Sequence, residues 1–248
     1  MSIESFADFA GLKEVGSIVR LALDEMARHV WAGATTGEIA DLGGAIMRLN
    51  GARSAPRIVY GFPGDVLISI NDEAVHGIPS HSRVIQAGDL VKLDVTFEKD
   101  GYIADAAITV PVEPVSNESR QLIACAERAF RRAMHFARSH HRINEIGRAI
   151  EQEVRSSGFR VMRDLAGHGT GRTIHEPPRV PNYDDRLAQH QLTFGLVLTV
   201  EPIITTGSGR TINDADGWTV RTADGHVSAH FEHTLVITDG APILLTTA

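Results

Sequence analysis

The residues that decide the fold run from Leu93 to Ala106 and read L-D-V-T-F-E-K-D-G-Y-I-A-D-A. Apolar residues alternate with others up to Glu98, Lys99-Asp100-Gly101 breaks the run, and a strand pattern resumes from Tyr102 to Val112, which predicts two strands joined as a β-hairpin. If the first two residues of that break form the loop, Asp94 lies directly across from Asp105. Their Cβ atoms would then be roughly 4.5 to 5.5 Å apart.

A one-residue bulge at Gly101 would instead make the two aspartates diagonal neighbours, still on adjacent strands. In either register, two negative charges on one sheet face repel each other and require a cation or a shared proton between them. A polar sheet rim explains one aspartate more easily than a facing pair. The hairpin therefore predicts a metal site.

The composition limits the class of protein. The chain has 248 residues, 43% of them hydrophobic, and a net charge of -7, so it can bury a large core and is a poor match for nucleic acid. Its single cysteine, Cys125, cannot form an internal disulfide, and no stretch approaches the roughly 20 apolar residues of a membrane span. We predict a cytoplasmic protein without membrane contact. No linker is evident, which favours one domain over residues 1–248.

The first half of the chain reads as two helices followed by strands. Helical spacing covers residues 9–30, and Thr35 with Glu38 forms a capping-box pattern that opens a second helix ending near Asn50-Gly51. Short strands are predicted at 56–60 and 66–70, before the hairpin.

The second half repeats this order. Ser116 can cap a helix that reaches about residue 138, a second helix covers about 144–157, and apolar strands follow at 196–205 and 227–238. Glu145 occupies the place in its helix that Glu38 occupies in the first half. The order of elements predicts a mixed α/β (α+β) class, whereas two matched glutamates alone are better explained by chance than by duplicated halves.

Three further candidate ligands lie in strands or strand ends of the second half: His168, Glu201 and Glu232. Singly, each has an ordinary structural interpretation, as a turn residue, a strand-end cap or a solvent-facing side chain. A glutamate within an apolar strand is nevertheless seldom buried without a partner. Together with Asp94 and Asp105 they would form an oxygen-rich site for two divalent ions, suited to Mn, Fe(II), Co or Zn.

These residues carry a family resemblance over nearly the whole chain. The sequence resembles the type I methionine aminopeptidases of the pita-bread metallopeptidase family. The matching segments are Ser69–Pro79, Asp94 and Asp105 with the turn between them, Gly167–Gly171, Ile174–Pro178, Glu201-Pro202, Trp218 and Phe231–Thr234. The resemblance implies two pseudo-symmetric helix-helix-strand halves around a central curved antiparallel sheet.

By this resemblance two metal ions are bound by five residues, namely Asp94, Asp105, His168, Glu201 and Glu232. Asp105 and Glu232 would be the bridging carboxylates. Glu201 would also carry a proton to the leaving amine.

The resemblance also implies three catalytic residues and an apolar pocket. His175 would stabilise the oxyanion or orient the peptide, and His76 would assist at the scissile nitrogen, with Glu201 the third catalytic residue. The methionine side chain would contact Phe62, Trp218 and Phe231, for which core packing is the competing interpretation. Leu67 and Phe194 fit a pocket wall and core packing equally.

The implied activity is that of a metal-dependent hydrolase. It would remove N-terminal methionine from peptides or nascent proteins, preferably before a small residue, by attack of metal-activated water on the first peptide bond. We predict a monomer, with the ribosome as a candidate partner. An aminopeptidase P or prolidase relative of the same fold, or a paralogue with shifted specificity or a binding role, are the alternatives.

Three departures from the family pattern bear on these expectations. Ala106-Ala107 replace the usual hydroxyl residues after Asp105, His230 stands where glutamine is usual, and Arg57-Ile58-Val59 replace small polar or aromatic pocket residues. Because hydroxyl groups orient ligating carboxylates, we expect one metal position to be weaker than in relatives that have them.

Overall fold

The fold is known from a computed structural model that describes residues 1–247. In these residues it has five helices, α1 (Phe6–Arg28), α2 (Thr36–Leu49), α3 (Ala55–Tyr60), α4 (Asn117–Ala133) and α5 (Ile143–Ser156). The strands are β1 (Arg53–Ser54), β2 (Leu67–Ile70), β3 (Glu73–Val75), β4 (Leu90–Lys99), β5 (Tyr102–Pro111), β6 (Arg160–Val161), β7 (Ala166–Gly169), β8 (Glu176–Pro181), β9 (Val197–Val200), β10 (Ile203–Thr205), β11 (Thr211–Asn213), β12 (Val220–Thr222), β13 (Ser228–His230), β14 (Glu232–Val236) and β15 (Ile243–Leu244).

Both halves open with a helix pair, and the second helix of each pair starts in the same way. Glu38 accepts a hydrogen bond from the backbone N–H of Thr35 at 2.8 Å, and Glu145 accepts one from the backbone N–H of Arg142 at 3.1 Å. In each case the glutamate satisfies a backbone donor at the helix start. The capping box and the matched positions of the two glutamates are confirmed.

A large antiparallel sheet lies between the helix pairs, with the strand order β1-β4-β5-β14-β9-β7-β8; β2 is added beside β4 and β15 beside β14. Helices α1 and α2 pack over β2, β4 and β5 around one buried apolar cluster. Helices α4 and α5 pack against the second half around another. No helix within residues 1–247 is long and apolar enough to cross a bilayer.

The central hairpin has a different register from the predicted one. Lys99 pairs with Tyr102, so the two-residue loop is Asp100-Gly101, with φ of 52° and 81°. Such a turn requires two positive φ values, and Asp-Gly supplies them more readily than Lys-Asp. Asp94 consequently lies across from Ala107 and not from Asp105. The direct pairing was wrong, but a shift of two residues keeps both aspartates on one face as diagonal neighbours.

Residues 56–60 form a helix, α3, where a strand was predicted. The hydroxyl of Ser54 caps its first turn by accepting from the N–H of Arg57 at 3.4 Å, and Pro56 occupies an early position where its missing N–H costs nothing. The helix ends at Gly61 with φ of 75°. This short helix brings Tyr60 to the mouth of the central cavity.

The long apolar strand at 196–205 is interrupted at Glu201-Pro202. Its first part, β9, belongs to the large sheet, whereas its second part, β10, pairs with β13 in a smaller sheet. The neighbouring segment at 227–238 is likewise divided at Phe231 into β13 and β14. The two interruptions place Glu201 and Glu232 where the sheets meet.

Candidate metal centre and active site

A cavity of about 590 Å³ lies over the middle of the large sheet. It brings together nine of the ten residues predicted for the site. They are Phe62, His76, Asp94, Asp105, His168, His175, Glu201, Trp218 and Glu232.

Three adjacent strands present the first group of carboxylates. Asp94, Ala107 and Glu232 are directly opposite one another on β4, β5 and β14, and therefore point to one face. Asp105 lies two residues before Ala107 and shares that face. Its backbone is fixed by Thr234, whose hydroxyl accepts from the Asp105 N–H at 2.9 Å and donates to its carbonyl oxygen at 2.8 Å.

A single hydroxyl orients the other two predicted ligands. Thr199 Oγ1 accepts from the backbone N–H of His168 at 3.0 Å and donates to Glu201 Oε1 at 2.9 Å. The Nδ1 of His168 lies 2.9 Å from the carbonyl oxygen of Gly169, which assigns the ring proton to Nδ1. The Nε2 lone pair is therefore free to face the cavity, 3.6 Å from Glu201 Oε1 and 4.0 Å from Asp105 Oδ2.

The carboxylates are too crowded to be fully ionised without a cation. Burial raises the pKa of Asp105 to about 7. Burial and then the charge of Asp105 raise the pKa of both Glu201 and Glu232 well above the ordinary value, and burial and Asp105 do the same to the pKa of Asp94. A divalent cation would lower these pKa values again, because it favours the charged form of each carboxyl group.

Two groups of donor atoms are close enough to share an ion. One contains Asp105, His168 and Glu232, and the other contains Glu201, His230 and Glu232. Asp94 lies in the same cavity but belongs to neither group. The arrangement fits divalent metal because buried atoms of the groups, Asp105 Oδ1 and Glu232 Oε1 among them, have no hydrogen-bond partner in the described part of the chain.

The two histidines predicted not to be ligands, His76 and His175, also line this cavity. Burial and then the neighbouring imidazole of His175 lower the pKa of His76 to about 4, and burial lowers the pKa of His175, so both are neutral at pH 7. Nδ1 of His175 lies 2.5 Å from the hydroxyl of Tyr60, and its ring packs edge-on against His168. Sequence reasoning missed Tyr60, because the segment was taken for a strand.

The apolar end of the cavity is formed by Phe62 and Trp218, whose rings meet edge to face with centroids 5.2 Å apart. Leu67 also lines it, whereas Phe194 is exposed elsewhere. Phe231 does not reach the cavity but packs edge-on against Phe130, so its place in the pocket was wrong. Successive side chains of an extended segment point to opposite faces. His230 and Glu232 both point into the donor cluster, so Phe231 between them points away from it.

Ala106 and Ala107 face opposite sides of the sheet. Ala107 shares the ligand face, but Ala106 is fully buried in the core under α1 and α2. A hydroxyl at position 106 could not reach the carboxylates, so only Ala107 can bear on the expected weak metal position. Arg57 lies outside the cavity and donates to the carbonyl oxygen of Pro63 at 2.8 Å.

Comparison with known proteins defines the class. The sequence pattern of metallopeptidase family M24 matches residues 10–239, and the chain belongs to that family. Methionine aminopeptidase 2 of Bacillus subtilis is 40% identical over 247 residues, covering 99% of each chain. The Escherichia coli methionine aminopeptidase is 34% identical over 247 residues, covering 99% of this chain and 94% of its own.

Solved structures agree with this assignment. A methionine aminopeptidase from Thermotoga maritima superposes with a TM-score of 0.96 at 32% identity over the whole of both chains. A prolidase from Pyrococcus furiosus superposes with a TM-score of 0.79 at 22% identity, over 99% of this chain and 65% of its own, and so shares the fold. The predicted pita-bread fold is confirmed.

Proposed function

We propose that this chain is a methionine aminopeptidase that removes N-terminal methionine from peptides and proteins, preferentially before a small second residue. The observation that carries the proposal is one cavity in which buried carboxylates, two neutral histidines and an aromatic end meet. The full-length relatives named methionine aminopeptidase support the same activity.

The substrate enters with its first side chain in the aromatic end. A methionine thioether packs well against aromatic edges, and Phe62 and Trp218 present such edges. The free α-ammonium group is attracted to the carboxylate cluster, which restricts cleavage to the chain end. The preference for a small second residue is proposed from the full-length relatives named methionine aminopeptidase.

The residues that would hold the metal are Asp94, Asp105, His168, Glu201 and Glu232, with two divalent ions chosen from Mn, Fe(II), Co and Zn. Bound divalent metal supplies Lewis acidity toward the peptide carbonyl and lowers the pKa of water. Asp105 and Glu232 would serve both ions.

The protein's own groups then handle protons and orientation. Glu201 accepts a proton from the attacking water and delivers it to the leaving amine. The Tyr60 hydroxyl donates to Nδ1 of His175, so the imidazole proton is on Nε2, where it can donate to the carbonyl oxygen as negative charge develops. His76 contacts the scissile nitrogen.

Peptide hydrolysis tests the proposal directly. Metal-reconstituted protein is incubated with Met-Ala-Ser, Met-Lys-Ser and Xaa-Pro peptides, and the released residues are identified by mass. Methionine release from Met-Ala-Ser and little from Met-Lys-Ser is expected. Release only from Xaa-Pro peptides would replace the proposal with the prolidase activity, and no release from any of them would favour a binding role.

The cellular setting is part of the same proposal. We place a single catalytic domain, acting as a monomer, in the cytoplasm, where nascent chains at the ribosome would be its substrates. Analytical ultracentrifugation and cosedimentation with ribosomes test these two statements. A stable dimer would reject the monomeric state. Absence of cosedimentation at physiological salt would reject the association with ribosomes.

A further inference from the structure

The imidazole of His230 is buried inside the ligand cluster. It is 2% exposed, and its Nε2 lies 3.5 Å from Glu232 Oε2 and 3.8 Å from Glu201 Oε2. Neither ring nitrogen has a hydrogen-bond partner among residues 1–247. A neutral imidazole always carries one donor and one acceptor, and leaving either unmatched in a buried site is costly.

The backbone fixes where this ring points. Thr109 Oγ1 accepts from the N–H of His230 at 2.9 Å and donates to its carbonyl oxygen at 2.9 Å. Two residues earlier, Ser228 accepts from the buried ammonium group of Lys92, at 3.2 Å on its hydroxyl and 3.3 Å on its carbonyl oxygen. The strand β13 is therefore held at both ends, and the ring of His230 is directed into the cavity.

The distances suit a shared ion better than a hydrogen bond. At 3.5 and 3.8 Å the carboxylate oxygens are too far for a well-formed hydrogen bond. Two donors on one ion, each with a bond of about 2.0 to 2.2 Å, lie about 3 to 4 Å apart at ordinary coordination angles. Both separations at His230 fall within that range.

We infer that His230 is a sixth protein ligand, binding through Nε2 an ion that Glu201 and Glu232 also bind. The two oxygens of Glu201 support this, since Oε1 lies near His168 and Oε2 near His230. Each histidine thus belongs to a different donor group, with Glu232 common to both. The inference rests on the metal binding in the proposed function but not on its substrate.

The identity of the residue matters chemically. An imidazole nitrogen is a strong ligand for Zn, Co and Fe. Glutamine, which is usual at this position in type I methionine aminopeptidases, offers only a neutral amide oxygen. The pair of sites would therefore have two nitrogen ligands, and the ion beside His230 would be held more tightly than by carboxylates alone.

Proton NMR of the Co(II)-loaded protein tests the inference without relying on activity. Each histidine that binds Co(II) contributes one exchangeable, hyperfine-shifted N–H resonance. We expect two such resonances, from His168 and His230. In His230→Gln one resonance should be lost, and calorimetry should show at least about tenfold weaker binding of one ion.

His233→Gln is the matched control. His233 is also a buried histidine beside Glu232, but its Nδ1 lies 2.8 Å from Thr246 Oγ1 and it is in neither donor group. This variant should keep both resonances and the affinity for both ions.

Two results would overturn the inference: one resonance in the unmodified protein, or unchanged affinity in His230→Gln. The spectrum of the unmodified protein decides the matter even if the variant does not fold. Methionine release accompanied by a single resonance rejects only the sixth ligand. Two resonances without peptide hydrolysis reject only the proposed function.

Discussion

The hydroxyl of Tyr60 lies 2.5 Å from Nδ1 of His175, across the mouth of the cavity. Burial raises the pKa of this phenol, so it stays protonated and can donate to Nδ1. A hydroxyl that donates there fixes the proton of the neutral imidazole on Nε2, the atom available to a substrate carbonyl. The short helix α3 thus controls the tautomer of a residue more than a hundred positions away in the chain.

Replacing Tyr60 by Phe should lower kcat by about tenfold and leave metal binding intact, because the ring still packs on His175 while the tautomer is no longer fixed. Assays of methionine release from Met-Ala-Ser measure kcat, and elemental analysis measures the bound metal. The control is Tyr183→Phe, since Tyr183 packs on Arg163 away from the cavity. An unchanged kcat would show that Tyr60 does not act through His175.

His175→Ala should have a larger effect on kcat than Tyr60→Phe, about 100-fold or more, because it removes the oxyanion donor itself. Metal content should remain close to that of the unmodified protein, since His175 is in neither donor group. Inductively coupled plasma mass spectrometry reads the metal content. Loss of an ion in this variant would make His175 a ligand.

Glu201→Gln should remove most activity while the protein still folds. The change eliminates a carboxylate that is both a predicted ligand and the proton carrier, yet the amide can still accept from Thr199. Because Glu201 has a raised pKa in the metal-free fold, the variant should resist urea at pH 8 at least as well as the unmodified protein when both are metal-free. Normal turnover would exclude the proton role. Glu118→Gln, at an exposed carboxylate, is the control.

The sequence predicted candidate donors for this site more readily than their geometry. Asp94, Asp105, Glu201 and Glu232 stand out as carboxylates within apolar strands, and the cavity brings them together with His168. The face to which each points follows from strand parity alone, so it survived the two-residue error in the hairpin.

What the sequence could not give depends on contacts between distant segments. The run Ile58-Val59-Tyr60 is typical of a strand, and its helix was decided by the cap at Ser54. His230 was recognised as a departure, but its distance from Glu201 and Glu232 depends on how β10, β13 and β14 meet. The prediction for Phe231 came from the family resemblance, whereas in the fold its ring packs on Phe130, on the side opposite to that of its two neighbours.

Stabilisation of the protein by metal should increase with pH between about 5 and 8. A carboxyl whose pKa is raised on folding, such as Asp105 from 3.8 to about 7, supports the metal-free fold at low pH, and that support is lost as pH rises through the folded value. Metal displaces those protons, so its binding tightens over the same range. The pKa values of the buried histidines and of Lys92 are shifted in both the metal-free and the metal-loaded protein, so their contributions largely cancel in the comparison.

Differential scanning calorimetry with excess Mn or with chelator at pH 5, 6, 7 and 8 measures this increment in Tm. We expect it to be smallest at pH 5 and to grow by several degrees. A pH-independent increment would mean that metal does not compete with protons at these carboxylates.

Ala106→Thr and Ala107→Ser should have contrasting effects, because the two positions face opposite sides of β5. Ala106 is fully buried among apolar side chains, so extra atoms and a hydroxyl there should lower the free energy of unfolding by about 1 to 3 kcal/mol. Metal affinity should not change. Ala107 lies between Asp94 and Glu232, and a serine hydroxyl there can donate to either carboxylate.

A hydrogen bond that orients a ligating carboxylate is commonly worth about 10 to 100-fold in metal affinity, so Ala107→Ser should tighten the weaker of the two sites. Calorimetric titration of metal-free protein gives both affinities, and urea unfolding gives stability. If Ala106→Thr tightened metal binding, the register of β5 against β4 and β14 would have to be different. If Ala107→Ser left both sites unchanged, the missing hydroxyl would not control the second ion, and the looser site would have to be explained by Asp94, which lies apart from both donor groups.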